Sequence, residues 1–157
     1  ASIMILGSLL IILVHVLLAL PMLTWWPIAV VAMLILGVGF SLVPSAMWPS
    51  VPKLIPERQL GTAYALIFWL QNLIALTLVP FGIGKVLDGF CITGRTTVPQ
   101  TIDGVLRDVE IVQYDYTLPM AIFVGFGLLA VVFALLLKRE DRRQGYGLEQ
   151  PSKVVGA

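Results

Sequence analysis

Charge is what this sequence has least of. Lys, Arg, Asp and Glu make up 12% of its 157 residues, against about 25% in an ordinary soluble domain. The few that exist are also confined. Residues 1–52, 59–84 and 116–137 contain none at all. A water-exposed fold needs charge on the outer face of nearly every helix and strand, so a soluble enzyme and a nucleic-acid binder are excluded. A hydrophobic content of 59% excludes a disordered chain. The single cysteine, Cys91, permits no internal disulfide and leaves the redox compartment unread. The sequence has one histidine, His15, and no cluster of His, Cys, Asp and Glu at metal-ligand spacing. It also lacks a nucleophile–His–acid set and a phosphate-binding loop. No enzyme, cofactor or metal is therefore expected, and no nucleic-acid partner. An initiator methionine, a positive n-region and a small-residue cleavage site are missing too. These absences argue against a signal peptide and lead to the expectation that the chain is part of a larger protein.

What is present is hydrocarbon-matched length. A spanning helix needs about 20 apolar residues, and the uncharged runs hold four such segments. The expected fold class is an all-α membrane protein with four transmembrane helices over about 2–20, 27–49, 57–87 and 117–137, so the transmembrane region is 1–137. Pro21 ends the first helix, and Pro27 sits in the first turn of the second, where proline is tolerated. Between them, residues 22–26 make a short connection whose Trp25-Trp26 pair reads as part of an interfacial aromatic belt. Pro44 should kink the second helix, and Pro49 and Pro52 should end it. Residues 50–58 form a short polar loop. Pro80 should kink the third helix, with Thr77 placed to help re-satisfy the freed backbone. Residues 88–116 form a long polar outer loop in which Val109–Tyr116 alternates like extended chain. Residues 138–157 form the C-terminal tail: a charged stop over 138–143 and then 14 Gly- and Pro-containing residues expected to be mobile.

Orientation follows from the basic residues. Lys53 and Arg58 in the 50–58 loop share one side with Lys138, Arg139, Arg142, Arg143 and Lys153 of the tail, against Lys85, Arg95 and Arg107 on the other. The positive-inside rule puts the first group, and the C-terminus, in the cytoplasm.

Polar residues inside the spans are the candidates for function, because each costs energy in hydrocarbon unless paired. On the second helix Gly37, Ser41 and Ser45 recur every four residues, near Pro44 and Trp48. This spacing suits a packing seam or a cavity-lining face with Ser41, Ser45 and Trp48 available to a solute. On the third helix Gln71 and Asn72 lie near mid-membrane and, as neighbours, differ by about 100° in direction. One reading is an interhelical hydrogen bond, the other contact with a solute. Tyr64 and Trp69 are the other candidates there. Gly61, Ala65, Asn72 and Ala75 fall roughly on one stripe, so Asn72 is expected to face protein. His15 has no intramembrane carboxylate for a proton relay and reads as a neutral, hydrogen-bonded structural residue.

These residues carry a resemblance. Ser41-Leu42-Val43-Pro44-Ser45-Ala46-Met47-Trp48-Pro49, Ile55-Pro56-Glu57-Arg58-Gln59-Leu60-Gly61-Thr62-Ala63-Tyr64, Gln71-Asn72 and Gly84-Lys85-Val86-Leu87-Asp88 resemble the C-terminal half of a major facilitator superfamily transporter. More narrowly they are similar to its lysosomal dipeptide uniporter branch. The tail, Lys138-Arg139-Glu140-Asp141 followed by Gly145-Tyr146-Gly147-Leu148-Glu149, resembles Bacteroidetes-type bacterial members. The resemblance implies that the spans are helices nine to twelve of twelve, a partial C-terminal bundle. It implies partners in the lipid bilayer, in N-terminal helices of the same protein and in a small polar solute such as a di- or tripeptide moved by alternating access. It makes Ser41, Ser45, Trp48, Tyr64 and Asn72 cavity or gate positions, with Trp69 and Gln71 beside them. The expected location is the bacterial inner membrane, or the lysosomal membrane in a eukaryote. The rival reading is a complete four-helix structural or assembly protein working as an oligomer. A small four-helix exporter would need an intramembrane carboxylate, and the uncharged runs have none.

Overall fold

The computed structural model describes residues 1–20, 25–102 and 105–150. It is mostly helical. Four helical segments are long and apolar enough to cross a membrane: Ser2–Ala19, Trp26–Leu54, Glu57–Phe90 and Thr117–Gln144. The expected 22–26 connection lies largely outside the described residues, but Trp25 and Trp26 open the second span with both rings well exposed, as a belt position requires.

The first span is α1 (Ser2–Ala19), and it is the hub. It packs against α2 (Trp26–Met47) on one side and α6 (Thr117–Gln144) on the other. Hydrocarbon offers no hydrophobic drive between helices, so close van der Waals contact at small residues must hold them together. A Cβ on Gly7 would lie 2.9 Å from Val43 Cγ2 and 3.0 Å from the Gly39 carbonyl oxygen, and one on Gly39 would lie 3.1 Å from the Gly7 carbonyl oxygen. On the opposite contact Ile12 fills the space above Gly127, where a Cβ would meet Ile12 Cγ1 at 2.5 Å.

Prolines shape the other spans differently from expectation. The second span does not stop at Pro49 or Pro52. Each occupies the first or second position of a fresh turn, a 3-10 turn over Trp48–Ser50 and then α3 (Val51–Leu54). A missing N–H costs nothing at such positions. Helix ends instead at Ile55, which is extended (φ −126°, ψ 136°), as sterics demand of a residue before proline. Most of the anticipated 50–58 loop is therefore helical. The third span runs from a 3-10 turn at Glu57–Gln59 through α4 (Leu60–Asn72) and a π-helical stretch, Leu73–Leu78, into α5 (Val79–Phe90). The π stretch ends just before Pro80. Its wider i→i+5 bonding relieves the clash of the proline ring with the carbonyl four residues earlier. That widening does the work expected of Thr77, whose side chain bonds to no carbonyl among the described residues.

The 88–116 loop is shorter and more ordered than the charge pattern suggests. Helix continues to Phe90, and β1 (Ile92–Ile102) then pairs antiparallel with β2 (Val105–Tyr114). The neck of this hairpin is tied to the membrane helices. Asp115 N–H donates to the Cys91 carbonyl (2.7 Å), and the Tyr114 hydroxyl donates to Asp88 Oδ1 (3.1 Å). That bond, reinforced by the Asp88 charge, holds the Tyr114 phenol above its ordinary value of 10.0.

α6 passes through the charged stretch to Gln144 and stops at Gly145, whose left-handed conformation (φ 70°) favours glycine. The tail after it is pinned as far as Gln150. Lys53 Nζ donates to the carbonyls of Gly147 (2.9 Å) and Gln150 (2.6 Å), Leu148 is buried, and Leu148 N–H donates to Asp141 Oδ1 (3.1 Å). Glu149 accepts from the amide and hydroxyl of Ser2, which lower its carboxyl pKa. The expectation of a mobile tail is corrected for 145–150; the remainder lies outside the described residues.

Two outcomes test these contacts. Gly7→Ala and Gly127→Ala should each destabilise the detergent-solubilised protein by about 1–3 kcal/mol through overpacking, measured by thermal unfolding. Gly37→Ala, which meets nothing within 4 Å, should be neutral or slightly stabilising. Because the Tyr114 phenol is raised in the folded state, its bond to Asp88 stabilises fully below the unfolded phenol value and is lost as pH rises through the folded one. Asp88→Ala should therefore lower the Tyr114 midpoint in an ultraviolet phenolate titration.

Candidate functional site

The packing of α2 on α1 decides which side of α2 is open. Gly39 faces Gly7. Gly37 lies two residues away, which is about 200° around the helix; Ser41 continues that side, and Ser45, about 80° further round than Gly37, borders a depression shared with Ala1, Ser2 and Ile3 at the start of α1. Gly37 meets nothing within 4 Å, and both serines are exposed. The contact of α2 with α1 runs through Gly39 and not through this stripe. The serine hydroxyls are self-satisfied: Ser41 Oγ donates to the Val38 carbonyl and Ser45 Oγ to the Leu42 carbonyl, both at 2.9 Å. Each retains acceptor capacity for an incoming donor.

Trp48 and Tyr64, on different spans, come together. The Tyr64 hydroxyl donates to the Trp48 carbonyl (3.3 Å), and the two rings are 5.5 Å apart. The sequence reading missed the third member, Phe68, whose ring stacks on Trp48 at 4.7 Å. It stands four residues after Tyr64, one turn along the same face, which was the available signal. The cluster bridges the end of the second span to the start of the third.

Gln71 and Asn72 part company, as neighbours on a helix must. Gln71 lines a cavity of about 530 Å³ between α1, α2, α4 and α6, together with His15, Phe40, Pro44 and Phe123. That volume is within the roughly 300–1,000 Å³ of small-molecule sites. The walls are apolar except for Ser8, His15 and Gln71. His15 Nδ1 donates to the Ile11 carbonyl (2.8 Å), and its ring lies 5.3 Å from Phe123. In the neutral ring this leaves Nε2 as an acceptor. His15 is hydrogen-bonded, as expected, and it also lines the cavity. Asn72, expected to face protein, is exposed and donates to the Phe68 carbonyl of its own helix (2.8 Å). Trp69 also points away, 60% exposed. The seven candidates thus divide into an open serine face with Ser41 and Ser45, an aromatic bridge with Trp48 and Tyr64, a cavity residue, Gln71, and two outward residues, Trp69 and Asn72.

The chain is similar to proteins named lysosomal dipeptide transporter MFSD1. Identity is 40% over 74 residues with the chicken (Gallus gallus) and human (Homo sapiens) proteins, covering 47% of this chain and 16% and 15% of theirs. With the zebrafish (Danio rerio) protein it is 45% over 58 residues, 37% of this chain and 12% of the relative. The matched stretch is therefore a small part of the relatives' length. No family model matches the chain. No solved structure matches it either. The chain resembles this transporter branch in sequence and has helices of membrane-spanning length and composition.

The aromatic bridge yields a measurable coupling. Trp48→Ala and Phe68→Ala should each destabilise the folded protein, with a double-mutant coupling of about 0.5–1.5 kcal/mol for the stacked pair. Tyr64→Phe should cost about 1 kcal/mol or less for one long hydrogen bond, and Trp69→Ala should be near neutral. Thermal unfolding of the single and double variants reads all four.

Proposed function

We propose that this chain supplies helices nine to twelve of a twelve-helix secondary transporter of the major facilitator kind, which moves a small polar solute of the di- or tripeptide class by alternating access. The observation that carries the reading is the 40% identity to dipeptide transporters over 74 residues. The geometry supports it in three places. The open Gly37–Ser41–Ser45 face of α2 gives a solute path small side chains and hydroxyl acceptors. The Trp48–Tyr64–Phe68 bridge stands where one end of that face meets the third span, a position suited to a gate. Gln71 and His15 bring a donor–acceptor amide and an imidazole acceptor to an apolar cavity, groups that suit a peptide bond. Rocking of two helix bundles about a mid-membrane site would open these surfaces alternately to the two sides. In this reading the 50–58 segment and the tail face the cytoplasm, and the hairpin faces out. The membrane is the bacterial inner membrane, or that of the lysosome in a eukaryotic cell.

The test is uptake by the full-length protein in proteoliposomes against a panel of di- and tripeptides and free amino acids. Uptake of dipeptides is expected. Ser45→Trp, which blocks the open face, should reduce it at least tenfold, while Trp69→Ala should leave it unchanged. Failure to take up any peptide removes the substrate class. Uptake unaffected by Ser45→Trp removes the assigned path.

A further inference from the structure

The last turns of α6 gather cations on one face. Leu135, Lys138, Arg139, Arg142 and Arg143 recur at i, i+3, i+4, i+7 and i+8, the spacing of a single helical stripe. With Ile5 of α1 they line a depression of about 440 Å³ where the uncharged run ends. Its lining divides by depth. Ile5 and Leu135 belong to the apolar spans, and the four cations follow beyond them. No carboxylate lines it. Lys138 has a partner in Glu149 (3.6 Å) and Arg143 in Glu140 (3.6 Å). Arg139 and Arg142 are exposed and form no ion pair among the described residues.

We infer that this depression binds the headgroup of an anionic phospholipid. The apolar end lies in the hydrocarbon region and suits the start of an acyl chain. The two unpaired guanidiniums stand at headgroup depth and present planar forks to a phosphate diester. A free phosphate uses only the cationic half of the site, and an acidic protein segment leaves its apolar end in lipid. Basic clusters just beyond a spanning helix attract anionic lipid, and here the cluster adjoins an open depression with an apolar end. This inference stands apart from the transporter reading.

The experiment reconstitutes the full-length protein in nanodiscs of phosphatidylcholine with or without phosphatidylglycerol, and counts retained lipids by native mass spectrometry. Phosphatidylglycerol should be retained over phosphatidylcholine. Arg139→Gln with Arg142→Gln should lower that retention on the order of tenfold, since each cation near the surface contributes severalfold. Arg107→Gln in the hairpin should not, and Arg139→Lys with Arg142→Lys should retain part of the preference. Monodisperse elution of the double glutamine variant separates lost binding from lost folding. Equal retention of both lipids, unchanged retention in the double glutamine variant, or equal competition by inorganic phosphate would each overturn the assignment.

Discussion

The approach of α1 to α2 at Gly7 and Gly39 is the constraint on which the rest of the arrangement depends. Neither helix carries a charge, and lipid tails compete for their apolar side chains on equal terms. The helices hold together because two glycines let the backbones come close enough for Val43, Leu42, Leu10 and Ile11 to mesh around them. That choice orients α2 completely. With Gly39 turned to α1, Gly37 and Ser41 turn away, while Ser45 borders a depression beside the start of α1. The same rotation brings Pro44 and Phe40 to the cavity shared with His15 and Gln71. A second anchor, Ile12 over Gly127, sets α6 on the other flank of α1.

Charged and polar groups at one end reinforce what the glycines set. Ser2 opens α1, Lys53 lies in the last turn of α3, and Lys138 to Asp141 lie on α6. Glu149 joins Ser2 and lies 3.6 Å from Lys138, while Lys53 holds the carbonyls of Gly147 and Gln150. The returning tail thus joins the ends of three spans. Exposed pairs of this kind contribute little one at a time. Their effect here is geometric, because the left-handed glycines at 145 and 147 turn the chain back over α1 and α3.

Much of this was legible in the sequence, and the parts that were not have particular causes. The four spans could be read because an uncharged run of sufficient length has few alternatives. The second span ran on past its expected end because Pro49 and Pro52 fell at the starts of new turns, where a missing N–H does no harm. The hairpin was half seen. Alternation in Val109–Tyr116 marked β2, whereas Thr96, Thr97, Val98 and Thr101 of β1 were read as part of a polar loop, and Pro99 stands among them. A two-stranded sheet has only edges, where proline is tolerated. The spacing of Gly37, Ser41 and Ser45 was a real pattern. Periodicity alone could not distinguish a packed stripe from an open one two residues away. The contact with α1 uses Gly39, and that choice is visible only in three dimensions.

The third span completes the physical argument. None of its residues from Glu57 to Phe90 is buried, and most of its apolar surface is at no disadvantage against lipid. Its two amides are a different matter. Asn72 settles its donor on the carbonyl of Phe68. Gln71, although exposed, bonds to no other described residue and borders the cavity that His15 also lines. An amide in an apolar recess is costly until something polar meets it. Gln71 is therefore the residue of this helix with most to gain from a polar visitor, and Trp48, Tyr64 and Phe68 tie the same helix to the open face of α2.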